Sequence, residues 1–167
     1  MGLFSFLKNA GAKLFGKKEE AEPSNASTLT PEQQASVDAI RKQTREASLV
    51  GEIAKMGLNV ANLSVDLQGD TVIVYGQCDT QSDKEKVILT VGNVEGIGFV
   101  DDRLEVVNPD EDSQFHEVQK GESLSKIAKH YYGDAMKYPV IFEANKPMLT
   151  DPDLIYPGQV LRIPPIA

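Results

Sequence analysis

The sequence predicts an α+β protein with two small domains, ordered α-β-β-α-β and then β-α-α-β, behind an N-terminal amphipathic helix. Three observations support this fold class. Apolar residues switch between the period of a strand and the period of a helix along the chain. Two polar segments that contain proline, residues 19–29 and 108–113, interrupt the pattern. The length of 167 residues suits one ordinary domain or two small ones.

The composition excludes several classes of protein. The formal net charge is −8, and nucleic-acid binding is not expected because phosphates require clusters of Lys and Arg. Cys78 is the single cysteine, which excludes an internal disulfide and a multi-cysteine metal site. No segment approaches the roughly 18 apolar residues of a membrane span, and no basic residue precedes the first apolar run as in a signal peptide. We therefore expect a cytoplasmic protein.

The N-terminal segment, residues 1–18, predicts a short amphipathic helix. It carries four lysines and no acidic residue. Its glycines weaken a helix, each by up to about 1 kcal/mol relative to alanine, so the helix needs a partner surface. We expect it to dock on its own protein as a monomer, with a membrane surface or another protein as the alternatives. The apolar face consists of Leu3, Phe4, Phe6, Leu7, Ala10, Leu14 and Phe15.

Residues 43–107 form the predicted first domain, and residues 19–42 form a linker that ends in a helix extension. Thr30 and Gln33 have the spacing of a capping box, in which each side chain accepts a hydrogen bond from the backbone of the other. The apolar repeat that follows predicts a helix, and Gly57 offers its end.

A β-hairpin is predicted next. Apolar and polar residues alternate over 63–67, as expected for a strand with one buried face. Gly69 and Asp70 supply the turn, and the β-branched run at 71–75 is the returning strand.

A second helix and a third strand complete the first domain. Ser82 and Glu85 form a predicted capping box at the start of the helix. The helix leads into a segment with three glycines, residues 92–98, which we call the glycine loop. A strand over about 99–107 follows this loop.

Residues 114–167 form the predicted second domain, after the acidic linker at 108–113. The pattern predicts a short strand, two helices, a long loop and a closing strand. The strands fall at 115–118 and 159–164, and the helices around 124–128 and 140–142, ending near Gly133 and Asn145.

Both predicted domains resemble known families. The segment with Val72–Gly76, Val91–Gly96 and Val100–Asp102 resembles a BON domain. The last 50 residues resemble a LysM domain, a likeness carried by Lys120-Gly121-Glu122-Ser123-Leu124, Tyr132-Gly133, Ala144-Asn145 and Ile155-Tyr156-Pro157-Gly158-Gln159. Together with the N-terminal segment, they resemble the family of cytoplasmic bacterial potassium-binding proteins with BON–LysM architecture.

This resemblance implies selective binding of one K⁺, as a sensor or buffer, with the two domains drawn together around the ion. Rb⁺ and Cs⁺ are the expected substitutes. K⁺ suits a shell of neutral carbonyl oxygens, whereas carboxylates favour the harder Ca²⁺ and Mg²⁺. On the family pattern, the ligands are main-chain oxygens of Leu7, Ala10, Ala12 and Phe15 from the N-terminal segment, and of Gly92 and Val94 from the glycine loop.

The LysM resemblance implies an alternative, an envelope protein that binds peptidoglycan or other N-acetylglucosamine polymers. The glycan would lie between the first strand–helix turn and the last helix–strand loop of the second domain. The candidate residues are Gly121, Glu122, Ser123, Leu124, Asn145, Lys146, Pro147 and Tyr156.

No enzyme is predicted. His116 and His130 have no cysteine or carboxylate at metal-ligand spacing, and Cys78 has no neighbouring base. Asp101 and Asp102 are adjacent in a predicted strand and therefore face opposite sides, so they are not expected to share one site. The chain carries no phosphate-binding loop, nucleophile elbow or dinucleotide fingerprint.

Overall fold

The computed structural model of this protein describes residues 2–6 and 29–166, and these residues form six strands and four α-helices. In the first domain the elements are β1 (Gly2–Ser5), α1 (Pro31–Lys55), β2 (Val60–Gln68), β3 (Thr71–Thr80), α2 (Gln81–Gly92) and β4 (Phe99–Asn108). In the second domain they are β5 (Gln114–Glu117), α3 (Leu124–Tyr132), a 3₁₀ turn (Ala135–Lys137), α4 (Tyr138–Ala144) and β6 (Val160–Ile163). The predicted α+β class and the order of elements in both domains are confirmed.

The first domain is a four-stranded sheet whose strands lie in the order β1-β4-β3-β2. The central pair β3 and β4 is parallel, and both outer pairs are antiparallel. Helices α1 and α2 contact the strands β2, β3 and β4, and apolar side chains from helices and strands form one core. This core includes Leu49, Ile53, Val72, Val74, Val87, Ile88, Val91, Ile97 and Val100.

The predicted capping box of α1 is confirmed. The Thr30 hydroxyl accepts a hydrogen bond from the Gln33 N–H at 3.3 Å, and the Gln33 side chain accepts one from the Thr30 N–H at 3.0 Å. The helix ends before Gly57, which has the positive φ of 67° that glycine adopts without strain.

The predicted capping box of α2 is wrong. The helix begins two residues earlier than Ser82 would require, because Thr80 is its N-cap and the Thr80 hydroxyl accepts a hydrogen bond from the Asp83 N–H at 3.1 Å. Glu85 is instead buried against Arg162 of the second domain. Thr80 and Ser82 both have cap chemistry, and the partner of Glu85 is far away in sequence, so local spacing could not distinguish them.

The predicted amphipathic helix is also wrong over residues 2–5, which form strand β1. Exposure alternates along this segment: Leu3 is 66% exposed, whereas Phe4 is partly buried and Phe6 is buried. The edge of β4 presents unpaired N–H and C=O groups, and an extended segment satisfies them where a helix would not. The rest of the predicted helix, and the linker up to residue 28, lie outside the described residues.

The second domain is a two-stranded antiparallel sheet of β5 and β6 covered by α3 and α4. Ser123 caps α3, and Gly133 ends it with a φ of 73°. The core consists of Val118, Leu124, Ile127, Ala128, Ile141, Leu149, Leu161 and Ile163. None of the helices in the described ranges is long and apolar enough to cross a membrane.

Candidate ion-binding site

The glycine loop, residues 92–98, is a sequence of tight turns at the C-terminal end of α2. The Asn93 N–H donates to the Leu89 carbonyl at 3.0 Å, the Val94 N–H donates to the Val91 carbonyl at 3.3 Å, and the Ile97 N–H donates to the Val94 carbonyl at 3.2 Å. Gly92 belongs to the last turn of the helix, where carbonyls have no donor within the helix. A carbonyl oxygen that already accepts one hydrogen bond retains a second lone pair. The loop therefore offers carbonyl oxygens to a cation.

Phe6 attaches the N-terminal segment to this loop. Its N–H donates to the Gly98 carbonyl at 2.8 Å, and its side chain is only 5% exposed. The ring lies directly against Gly92, where a Cβ atom would come within 2.2–2.4 Å of the ring carbons. Glycine is required at position 92 by space, since any larger residue would displace Phe6.

Arg45 of α1 is a cationic group that lies against the loop. Its Nη2 atom lies 3.0 Å from the position that a Cβ atom on Gly96 would take. Gly96 has a φ of 88°, so glycine is favoured there by conformation as well. A positive charge beside the loop opposes the binding of a cation there.

The structure brings together part of the predicted ligand set. Gly92 and Val94 lie two residues apart in one turn, and Phe6 lies on that same turn. Leu7, the first predicted ligand of the N-terminal segment, directly follows Phe6 in the sequence. Leu7 itself, with Ala10, Ala12 and Phe15, lies outside the described residues.

Asn93 is a functional candidate that the sequence analysis missed. Its side chain is 1% exposed and contacts β6 of the second domain. The Asn93 Oδ1 atom accepts the Val160 N–H at 3.0 Å, and its Nδ2 atom donates to the Val160 carbonyl at 3.0 Å. The one sequence feature that could have indicated Asn93 is its position between two predicted ligands. Its hydrogen-bond partner, Val160, lies 67 residues away.

A buried ion pair joins the same two elements at the start of α2. The Glu85 carboxylate, 3% exposed, binds the Arg162 guanidinium of β6. Glu85 Oε1 also accepts the Ser113 N–H at 2.8 Å and the Gln81 amide at 3.3 Å. Helix α2 therefore contacts β6 through a charged group near its first turn and through a neutral amide directly after its last.

Comparison with known protein families finds a match for each of the two domains. Residues 41–108 match the BON domain family and residues 116–164 match the LysM domain family. The chain is 38% identical over 164 residues to the potassium binding protein Kbp of Escherichia coli O6:H1 (strain CFT073), and the match covers 98% of this chain and 99% of that protein. This chain belongs to the potassium-binding protein family of BON–LysM architecture.

A second relative shares only part of its length with this chain. It is a protein of Deinococcus radiodurans described as uncharacterized, and it is 36% identical over 138 residues. The match covers 75% of this chain and 54% of the Deinococcus protein.

In the LysM domain, the predicted glycan residues fall into separate environments. Ser123 caps α3, Gly121 precedes it in an exposed turn, Tyr156 is half-buried, and Leu124 and Asn145 are buried. Two further candidates, Lys146 and Pro147, line a small apolar cavity against Met56 and Leu89 of the BON domain.

Glu122 holds the first turn of the LysM domain together. Its Oε2 atom lies 2.8 Å from His116 Nε2 and accepts the Gln119 N–H at 2.8 Å. Burial acts to raise the pKa of Glu122, but the hydrogen bonds from Gln119 and His116 outweigh it. The pKa of Glu122 therefore lies below its ordinary value of 4.5.

The other candidates for chemistry have structural partners. Burial raises the pKa of the Cys78 thiol to about 11, so little reactive thiolate forms near neutral pH. Asp101 binds Arg103 on one face of β4, and the guanidinium lowers the pKa of Asp101. Asp102 binds Lys84 at 2.9 Å on the other face. Within residues 2–6 and 29–166, no three His, Cys, Asp or Glu side chains are grouped to hold a metal ion.

Proposed function

We propose that this protein binds one K⁺ through main-chain carbonyls, and that it acts as a cytoplasmic K⁺ sensor or buffer in monomeric form. The E. coli relative is named for potassium binding. It is 38% identical to this chain, and the match covers 98% of the chain. The ligands proposed for the ion are the Gly92 and Val94 carbonyls, together with those of Leu7, Ala10, Ala12 and Phe15.

The contact between Phe6 and the glycine loop carries this proposal. The hydrogen bond from the Phe6 N–H to Gly98 and the fit of its ring on Gly92 attach the N-terminal segment to the loop. The chain continues from Phe6 into the first proposed ligand. Two segments far apart in sequence can therefore contribute oxygens to one ion.

The choice of K⁺ rests on the chemistry of the donors. K⁺ is large and weakly polarising, and neutral carbonyl oxygens can replace its water shell. Neutral donors give no special advantage to the harder divalent cations, which prefer carboxylates. Because α2 and the glycine loop also contact the LysM domain, ordering the loop around an ion would hold the two domains together.

A thermal-shift series across alkali chlorides at constant ionic strength tests the function. Binding stabilises only the state that holds the ion, so K⁺ at millimolar concentration should raise Tm, and Rb⁺ and Cs⁺ should also do so. Na⁺ should have a much smaller effect. Equal shifts with Na⁺ and K⁺, or no shift with any alkali salt, would contradict the proposal.

Deletion of residues 7–16, which leaves β1 and Phe6 in place, tests the ligand assignment separately. We expect the truncated protein to lose its K⁺-dependent rise in Tm, while circular dichroism shows that both domains remain folded. Gly51→Ala in the full chain is a suitable control, because a Cβ atom at that position would meet nothing within 4 Å outside the adjacent part of its own helix. A truncated protein with the full K⁺ response would show that the ligands lie elsewhere.

A glycan is the second candidate ligand, because residues 116–164 match the LysM family. Binding of this protein to peptidoglycan or to N-acetylglucosamine oligomers in a pull-down, together with its recovery in an envelope fraction, would support this alternative. Recovery in the cytoplasmic fraction without glycan binding would support the K⁺ proposal. Flotation with liposomes would test a membrane role for the N-terminal segment.

A further inference from the structure

One edge of strand β6 is hydrogen-bonded by two asparagine side chains. Asn93 of the BON domain binds the N–H and the carbonyl of Val160, both at 3.0 Å. Asn145 of the LysM domain binds the N–H and the carbonyl of Arg162, both at 2.8 Å. Val160 and Arg162 are two residues apart and therefore direct these groups to the same edge, while β5 pairs with the other edge. Each amide thus takes the place of a peptide group in a third strand.

Asn93 has a second property that Asn145 lacks, which is its place between Gly92 and Val94. The carbonyl of Gly92 belongs to the peptide that ends at the Asn93 nitrogen, and the carbonyl of Val94 lies two peptides farther on. Two hydrogen bonds fix the Asn93 side chain on β6, and the buried site leaves it no alternative partner in water. The direction of both neighbouring carbonyls is therefore set in part by a strand of the other domain.

We propose that Asn93 is a positioning residue for the ion, which couples the LysM domain to K⁺ affinity although none of the proposed ligands lies in the LysM domain. This inference rests on the proposed K⁺ function. Coupling of this kind is reciprocal, because the total free energy of binding K⁺ and forming the contact is the same in either order. K⁺ binding should therefore strengthen the contact between Asn93 and Val160.

Isothermal titration with KCl on three full-length proteins tests the inference: wild type, Asn93→Ala and Glu85→Gln. Both variants lose a buried contact between α2 and β6, but Glu85 lies two turns of helix before Gly92. We expect Asn93→Ala to weaken K⁺ binding about tenfold and Glu85→Gln to weaken it no more than about twofold. Urea unfolding without K⁺ measures how far each variant is destabilised, so that affinity can be compared at known stability.

The outcomes separate the two proposals. Unchanged K⁺ affinity in Asn93→Ala, or equal losses in both variants at equal stability, would overturn the role of Asn93 and leave the K⁺ function intact. Wild-type protein that gives no heat with KCl would overturn the K⁺ function, and the role of Asn93 with it.

Hydrogen exchange on the wild-type protein gives a test that needs no variant. The Val160 N–H donates to Asn93, whereas the Arg162 N–H donates to Asn145 within the LysM domain. We expect K⁺ to slow exchange of the Val160 amide at least about fivefold more than it slows the Arg162 amide, relative to the same concentration of Na⁺. Equal protection of both amides would show that K⁺ stabilises the LysM domain as a whole and would overturn the specific coupling.

Discussion

The two contacts between α2 and β6 differ in chemistry and in what they constrain. Near the start of the helix, Glu85 and Arg162 form a buried ion pair, whose attraction acts over several ångströms and tolerates small movements. After the end of the helix, Asn93 and Val160 form two neutral hydrogen bonds, which require short distances and fixed angles. The charged contact therefore tolerates small shifts of one domain against the other, whereas the neutral contact fixes the geometry of the glycine loop.

Glu85→Ala tests the charged contact and should have the largest effect. It leaves the Arg162 guanidinium buried without its partner, and removes an acceptor from Ser113 and Gln81. We expect the free energy of unfolding in urea to fall by about 3 kcal/mol. The double variant Glu85→Leu with Arg162→Leu, which buries no charge, should recover most of that loss. A double variant as unstable as the single one would show that the charge is not the cause.

Gly92→Ala tests the fit that holds the N-terminal segment beside the neutral contact. A Cβ atom within 2.2–2.4 Å of the Phe6 ring must displace that ring. We expect a loss of about 1–3 kcal/mol in the free energy of unfolding, together with loss of the K⁺-dependent rise in Tm.

Gly51→Ala is the matched control for this substitution. Position 51 lies inside α1 with open space around a Cβ atom, so alanine should stabilise the protein by up to about 1 kcal/mol and leave the K⁺ response unchanged. Equal changes in the free energy of unfolding and in the K⁺-dependent rise in Tm for both alanine variants would show that the contact between Gly92 and Phe6 supports neither stability nor K⁺ binding.

Glu122→Gln tests a charged contact that lies within one domain and away from β6. The pKa of Glu122 is lower in the folded protein than its ordinary value of 4.5, so the carboxylate stabilises the fold above that pH. This stabilisation is lost as the pH falls through the lowered folded pKa. Between about pH 5 and pH 3, wild-type protein should therefore lose more stability than Glu122→Gln, by at most about 1 kcal/mol. Parallel stability curves for the two proteins would contradict the pairing with His116 and Gln119.

Arg45→Gln should have the smallest effect of these substitutions. It changes the charge beside the glycine loop and leaves both contacts between α2 and β6 in place. Removing the positive charge beside Gly96 should raise the affinity for K⁺ about twofold at low ionic strength, and this gain should shrink when the titration is repeated in a high concentration of choline chloride. Lower affinity in this variant would mean that Arg45 supports the shape of the loop more than it repels the ion.

Local signals in the sequence predicted most secondary-structure elements correctly. The strands β2 and β3 follow from alternating and β-branched residues around the turn at Gly69, and α1 begins at the predicted Thr30 cap. Each of these features depends on residues within a few positions of one another. The same kind of signal failed at Glu85 and at residues 2–5, where a distant partner outweighed the local preference.

The features of the candidate site likewise fall into those that are local in sequence and those that depend on tertiary packing. The glycines of the loop and the place of Val94 were evident from the sequence, since a helix end and a turn are local structures. Only tertiary packing determined that the Phe6 ring contacts Gly92 and that Asn93 hydrogen-bonds to Val160. Asn93 and Val160 lie 67 residues apart, and a hydrogen bond between such distant groups leaves no periodicity, spacing or cap by which either residue could be recognised.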